Sequence, residues 1–286
     1  MTERVDERPA AAGTSPPVPR NSSSSVRRAL AVLDHLGEQA ADPRGASLGD
    51  LAHDLGIPKS TLLRLLRPLR DTGLVQTDSE TGRYRLGPRT ARLGHLYLER
   101  LDLRTLARDV LRRLLGECWE TVHLVVPDAS DPSAGPAVVY VDKVESPHAV
   151  RMHSRIGARQ PAYCTAVGKA FLAYAPPEAT EAAIAAGMPS RTPATLTTGE
   201  SLRAALAQVR RQGYAVDDVE NEPDIRCVAA PVLDHTDMPV GAISASGPTT
   251  RVTASRVDAL GGLVRIAAAE VSARLGWRSP PPGEAR

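Results

Sequence analysis

Aromatic side chains make up only 3% of the 286 residues, among them a single phenylalanine and two tryptophans. Proteins that hold RNA or single strands stack bases on such rings, so a nucleic-acid partner of this chain is expected to be duplex DNA. Cysteine is nearly as scarce: Cys118, Cys164 and Cys227 stand far apart, which excludes a disulfide framework and a zinc ribbon. No stretch approaches the roughly 18 unbroken apolar residues of a membrane span. The opening MTERVDERPAAAGTSPPVPRNSSSS lacks the apolar centre of a secretory signal. Also missing are a GxSxG elbow, a Walker loop, a GxGxxG after a strand and an HExxH. The histidines are too scattered to suggest a metal site. These absences point to a cytoplasmic protein without catalytic residues, metal or cofactor, and with no membrane partner.

What is present describes a folded, soluble chain, 42% hydrophobic and 24% charged. Its length exceeds one ordinary core and suits about two domains. The net charge of +2 conceals an asymmetry. Between Lys59 and Arg92 eight basic residues face three acids, a surplus of five that leaves the rest of the chain at −3. A local surplus of this kind suits a surface facing phosphate, although a solvated helix face carries the same signature.

Residues 1–24 hold Pro9, Pro16, Pro17, Pro19 and a serine run, a composition that buries no core and predicts a disordered tail. A second short tail is expected over 278–286. Helical periodicity begins at Val26, with Val26, Leu30, Leu33 and Leu36 expected on one buried face. A second helix is expected from Ser47, with Asp50 at the capping-box position. Gly56-Ile57-Pro58 interrupts the chain, and Ser60 is expected to cap a third helix from Thr61 to about Thr72. Leu62, Leu65, Leu66 and Leu69 then face inward and leave Lys59, Ser60, Thr61, Arg64 and Arg67 outward. Two helices joined by a tight glycine-containing turn form a helix-turn-helix. The segment LVQTDSETGRYRLG reads as two short strands about a Thr81-Gly82 turn, a wing whose second strand carries Arg83 and Arg85 on one side. Pro68, inside the third helix, removes a hydrogen bond to Arg64 and is expected to kink the helix or end it early.

From Pro88 to about Cys118 the pattern is helical again, and a linker and dimerisation helix is expected over 88–103. Beyond it, strands are expected at 121–126, 137–144, 149–154, 214–218, 227–233 and 239–245. Helices are expected at 166–175, 177–186, 200–212 and 253–275. Strands before and after a run of helices predict an α+β domain over 104–277 with a largely antiparallel sheet. The first domain, 25–87, is the winged helix-turn-helix. Its third helix supplies the expected DNA-binding residues Lys59, Ser60, Thr61, Arg64 and Arg67, with Arg83 and Arg85 from the wing. Hydroxyls near a helix N-terminus suit phosphate, and arginines one turn apart reach guanine edges.

The ordered run of stretches SVRRALAVLDHL, LGDLAHDLGIPKSTLLRLLRPLRDTGLV, GRYRLGPRTARLG, ETVHLVV, VYVDKVESP, RIGARQPAYCTAVGKAFLA, GYAVDDVENEPDIRCVAAPV and GAISASGPTTR resembles the IclR family of bacterial transcriptional regulators over about 24–277. The resemblance implies a winged helix-turn-helix, a linker helix and a GAF-like α/β effector domain, assembled as homodimers or dimers of dimers on palindromic operators, more often as a repressor. It further implies a small-molecule effector, commonly a carboxylate, held by the backbone amides of Ala166 and Val167 with Asp217, Ile225, Cys227, Ser244 and Ser246 lining the site. Ser244 and Ser246 are two apart on one strand and so face one side. Val219 stands where the family usually carries an acid, and Leu63 where it often has an aromatic or histidine. Two other readings stay open: an enzyme using Cys164 or Cys227 with a histidine such as His123, His148, His153 or His235, and a constitutive DNA binder without ligand. Lys169 is assigned no role.

Overall fold

The computed structural model describes residues 24–39, 44–98, 102–128, 130–131, 135–150, 152 and 154–278. The two expected tails lie outside these residues except for Ser24 and Arg278. The chain divides between residues 101 and 102 into two compact units, and the helical stretch expected from Pro88 to Cys118 is two helices. Helix α4 (Pro88–Leu98) belongs to the first unit and α5 (Leu103–Cys118) opens the second. Asp102 is the reason for the fresh start at 103. Its carboxylate accepts Arg104 N at 3.0 Å and Thr105 Oγ1 at 2.6 Å, which makes it the N-cap of a new helix. The expected linker segment 99–101 lies outside the described residues.

In the first unit, α1 (Ser24–Glu38), α2 (Leu48–Asp54) and α3 (Lys59–Asp71) precede strands β1 (Val75–Thr77) and β2 (Tyr84–Leu86). Ser47 and Asp50 form the reciprocal capping box: Asp50 N donates to Ser47 Oγ at 3.1 Å and Ser47 N to Asp50 Oδ2 at 2.9 Å. All four expected leucines of α3 are buried. The buried face of α1 differs from the expected one, since Val26 and Leu30 are 58% and 55% exposed. The stripe that enters the core is Ala29, Val32, Leu33 and Leu36. Both stripes have helical spacing, and only the position of the neighbouring elements selects between them.

Helix α3 ends where expected, at Asp71 with Thr72 as C-cap, but departs from expectation at its start and in the effect of Pro68. Pro58, at φ −55° and ψ 139°, is its N-cap, and the Pro58 carbonyl accepts Thr61 N at 2.9 Å and Leu62 N at 3.0 Å. Ser60 therefore caps nothing and is an exposed residue of the first turn. Pro68 does not end the helix, which continues to Asp71. The last turn is held from beyond the proline, where Thr72 gives its N–H (3.1 Å) and its hydroxyl (2.8 Å) to the Pro68 carbonyl. In the wing, Val75, Gln76 and Thr77 pair antiparallel with Leu86, Arg85 and Tyr84. Asp78 Oδ1 organises the turn by accepting Glu80 N and Thr81 N, and Gly82 completes it at φ +66°.

The second unit is built on a six-stranded sheet in the order β5-β4-β3-β8-β7-β6, antiparallel at every junction. The strands are β3 (Thr121–Asp128), β4 (Ala137–Val144), β5 (Arg159–Pro161), β6 (Ala215–Asp218), β7 (Ile225–Leu233) and β8 (Pro239–Pro248). Helices α6 (Ala166–Tyr174), α7 (Pro177–Ala185) and α8 (Gly199–Gln212) lie between β5 and β6, and α9 (Val257–Arg274) follows β8. The strand expected at 149–154 is absent among its described residues, where Met152 and Ser154 are buried without laddering. Gly157 N donates to the Tyr140 carbonyl and Tyr140 N to the Ala158 carbonyl, and the edge strand forms just beyond, at 159–161.

Helix α6 packs on β6, β7 and β8, and its approach depends on Gly168. A Cβ there would stand 2.3 Å from Ala162 Cα and 2.5 Å from Ala162 O. The opposite sheet face meets α5, where Gly241 of β8 abuts Leu103, and α9 packs on β7 and β8. Covered on both faces, β7 and β8 read as nearly unbroken apolar runs although they are antiparallel. Among the described residues no helix is long and apolar enough to cross a membrane.

Candidate functional site

Helix α3 carries part of the first unit's basic surplus on its exposed side. Lys59, Ser60, Arg64 and Arg67 are exposed and Thr61 is half-buried. Ser60, Arg64 and Arg67 sit at i, i+4 and i+7, the stripe opposite the buried leucines. Leu63, half exposed, lies among them. This face offers hydroxyls near a helix N-terminus and two guanidinium groups one turn apart, the donors suited to phosphates and guanine edges.

The two wing arginines part company. Arg85 lies on β2, roughly half exposed, with Asp78 at 3.7 Å. Arg83 turns inward: Nε donates to the Gly45 carbonyl at 2.7 Å and an Nη to Asp50 Oδ2 at 3.0 Å. That oxygen is the one already accepting Ser47 N, so Arg83 braces the start of α2. Hydrogen bonds from Ser47, first its backbone N–H, hold the Asp50 carboxyl below the usual carboxylate range, with Arg83 adding to them. The sequence offered no signal for this, because the partners are 33 and 38 residues apart.

In the second unit the sheet register gathers the residues implied for an effector. Cys227 is paired with Asp217 on one side and Ser246 on the other, and paired residues share a face. Ser244 precedes Ser246 by two residues, and Ile225 precedes Cys227 at the same interval. Ala166 and Val167, at the start of α6, belong to the same apolar cluster as Cys227 and Ile225. All seven residues are therefore on or against one sheet face. Thr165 caps α6, its hydroxyl accepting Gly168 N at 3.1 Å and its carbonyl Lys169 N at 2.9 Å. The amides of Ala166 and Val167 are the ones that helix geometry leaves without an intrahelical partner.

Burial dominates the electrostatics of this face. Asp217 is pushed up to about 7 by desolvation, against the pull of the Lys169 ammonium. Its Oδ1 accepts Glu220 N at 2.8 Å and Asn221 N at 3.3 Å. Lys169 and Glu220 form a buried ion pair, and burial also raises the Glu220 carboxyl. The second Glu220 oxygen is buried without a hydrogen-bond partner. The turn joining Asp217 to Glu220 is held from outside, where Thr192 Oγ1 donates to Val219 O and Thr195 Oγ1 to Glu220 O, both at 2.6 Å. Val219 at its apex has φ +63°, unusual for a β-branched residue. Sequence reasoning passed over Lys169 and Glu220, whose pairing exists only once α6 lies on the sheet.

The thiols are poor nucleophiles. Burial raises Cys227 far above its ordinary value and Cys164 to about 12, so both are protonated at neutral pH. His123, also fully buried, is driven down to about 3 and is neutral. Among the described residues no group of three or more His, Cys, Asp or Glu side chains is placed to hold a metal.

Comparisons with known proteins cover both units. Residues 25–79 match the IclR helix-turn-helix domain, and residues 95–273 match the C-terminal domain described as that of bacterial transcriptional regulator IclR. The chain is 37% identical over 255 residues to the HTH-type transcriptional regulator XynR of Escherichia coli (strain K12), covering 88% of this chain and 97% of that one. It is 35% identical over 253 residues to the transcriptional repressor IclR of the same strain, covering 88% and 90%. A crystal structure of an IclR transcriptional regulator from Silicibacter sp. TM1040 superimposes with a TM-score of 0.78 at 28% identity, over 91% of this chain and 98% of that one.

Proposed function

Since the chain belongs to the IclR family of bacterial transcriptional regulators, we propose that it is a repressor whose operator affinity is set by a small carboxylate bound in its second unit. Membership makes it a DNA-binding transcriptional regulator. Beyond that, our reading assigns operator contact to Lys59, Ser60, Thr61, Arg64 and Arg67, with Arg85 on the flanking phosphates. Arg83 is the weakest member of the set, because its donors are engaged with Gly45 and Asp50. The protein acts in the cytoplasm as a homodimer or dimer of dimers, with a winged domain over 25–87, a linker and an effector domain ending near 277.

One observation carries the effector reading: Asp217, Ile225, Cys227, Ser244 and Ser246 share a sheet face on which the N-terminus of α6 is packed. Helix-terminal amides favour an anion, and two buried hydroxyls supply directed hydrogen bonds. Protonated thiols and a neutral His123 are ill suited to nucleophilic catalysis, which favours a sensor over an enzyme. Effector binding changes how the two recognition helices of a dimer meet their half-sites, a coupling typically worth about 1–3 kcal/mol.

The test is a DNA-binding titration with and without small carboxylates on wild type, Ser246→Ala and Arg64→Ala/Arg67→Ala. The double variant is expected to lose about 2–6 kcal/mol of operator affinity. Ser246→Ala is expected to bind operator normally alone but to respond to effector about tenfold more weakly. Undiminished affinity in a folded double variant refutes the α3 assignment, and consumption of the carboxylate refutes the sensor reading.

A further inference from the structure

His123 is not among the effector contacts assigned above, yet it sits within the same polar row. It lies on β3 opposite Ser244 of β8, so its side chain shares the sheet face of Ser244 and Ser246. The ring leans on Tyr140 with centroids 4.8 Å apart. Nε2 is 2.8 Å from Ser154 Oγ, and Nδ1 is 3.4 Å from Ser244 Oγ, which is itself 3.4 Å from Ser246 Oγ. Ser154, His123, Ser244 and Ser246 therefore form a single file of hydrogen-bonding groups from three segments of chain.

A neutral imidazole has one N–H and one lone pair, so the file has a direction. If Nδ1 carries the hydrogen, Ser154 donates to Nε2, Nδ1–H donates to Ser244 and Ser244 donates to Ser246. The Ser246 hydroxyl hydrogen then points out of the file, toward the weak acceptor Cys227 Sγ with which Ser246 hydrogen-bonds, and a ligand with a stronger acceptor can take it over. If Nε2 carries it, each bond reverses, and Ser246 turns its hydrogen inward and shows lone pairs outward. The charged groups at the two ends favour the first arrangement. Lys143 Nζ donates to the Ser154 carbonyl at 2.7 Å, with Glu145 at 2.8 Å as its partner, so an ammonium stands at the Nε2 end. At the other end Ser246 is paired with Cys227, and Cys227 with Asp217, near Lys169, Glu220 and Glu222. A ring dipole with its lone pair toward the ammonium is the more stable one. Burial, with Lys143 adding to it, keeps the ring neutral across the physiological range.

We propose that His123 is a specificity-determining residue of the effector site: held by Ser154 as the Nδ1–H tautomer, it aligns the Ser244 and Ser246 hydroxyls so that Ser246 donates, selecting a ligand with a hydrogen-bond acceptor such as a carboxylate. This rests on Ser244 and Ser246 being effector contacts. His123 acts through them and is a positioning residue.

The tautomer is measurable without any ligand. Full-length protein labelled with 15N-histidine gives imidazole nitrogen shifts that separate an N–H from a lone-pair nitrogen, and His123→Gln identifies the resonance. The expected result is N–H character at Nδ1 and lone-pair character at Nε2, with Ser154→Ala moving the ring toward a mixture. The second measurement is calorimetric binding of acetate, pyruvate and benzoate, each beside its neutral amide. Wild type is expected to prefer the acid, and Ser154→Ala, less stable because the buried Nε2 loses its partner, to lose about tenfold of that preference at a temperature where it remains folded. An Nε2–H ring in a protein that binds one of the acids overturns this proposal alone. Unchanged selectivity in Ser154→Ala, or in His123→Gln should Ser154→Ala not fold, also overturns it. Wild type that binds none of the acids overturns the effector reading and this proposal together.

Discussion

Asp217→Asn is expected to make the protein more stable, and increasingly so as pH rises. Asp217 has an unfolded value near 3.8 and is carried up to about 7 in the folded protein, chiefly by burial. A carboxyl raised in this way holds its proton more tightly when folded. The stability it contributes is complete below about pH 4 and is lost as pH climbs through 7. Each intervening pH unit is worth about 1.4 kcal/mol, so an ionised Asp217 costs the folded state up to about 4 kcal/mol at pH 8. Asparagine does not titrate, and its Oδ1 can still accept Glu220 N and Asn221 N, the two bonds that shape the turn. Its new amide hydrogens, if unpaired, cost about 1–3 kcal/mol, but that penalty does not vary with pH. The quantity to read is therefore the change in the stability difference, not its absolute size. Urea unfolding of both proteins at pH 5, 6, 7 and 8.5 is expected to show the variant gaining on wild type by about 1 kcal/mol or more per unit up to pH 7, then levelling. A difference that stays constant with pH, or that shrinks as pH rises, refutes the argument that burial outweighs Lys169 at this carboxyl.

Three further substitutions probe the scaffold. Gly168→Ala would set a Cβ 2.3 Å from the Ala162 backbone, so thermal unfolding is expected to show a loss of about 3 kcal/mol or more. A smaller loss means that α6 can lift from the sheet. Val219→Gly relieves a left-handed β-branched residue, worth about 1–2 kcal/mol, and returns part of it as unfolded-chain entropy. A net gain of about 0.5–1 kcal/mol in chemical denaturation is expected, and a loss means that Val219 packing outweighs the strain. Pro68→Ala restores the hydrogen bond to the Arg64 carbonyl in a helix that already runs on to Asp71. Stability is expected to rise by about 1–3 kcal/mol, and a marked fall would contradict the geometry of α3.

Local chemistry settled much of this protein in advance. The Ser47–Asp50 capping box, the four buried leucines of α3 and the Asp78–Gly82 turn depend on residues close in sequence, and each forms as the spacing predicts. The shared face of Ser244 and Ser246 follows from the two-residue period of a strand. The tertiary structure decided whatever required two distant segments to meet. It chose between two equally periodic stripes of α1, leaving Val26 and Leu30 outside. It drew Arg83 away from the wing surface to brace α2, and it buried Met152 and Ser154 without placing either in a strand. It also assembled the buried groups beside Ser244 and Ser246: Lys169 with Glu220, His123 with Ser154, and an Asp217 raised by desolvation. Periodicity records which side of an element is apolar. Desolvation and long-range pairing depend on what arrives opposite that side, and that is determined only when the sheet closes its register and α6 comes down upon it.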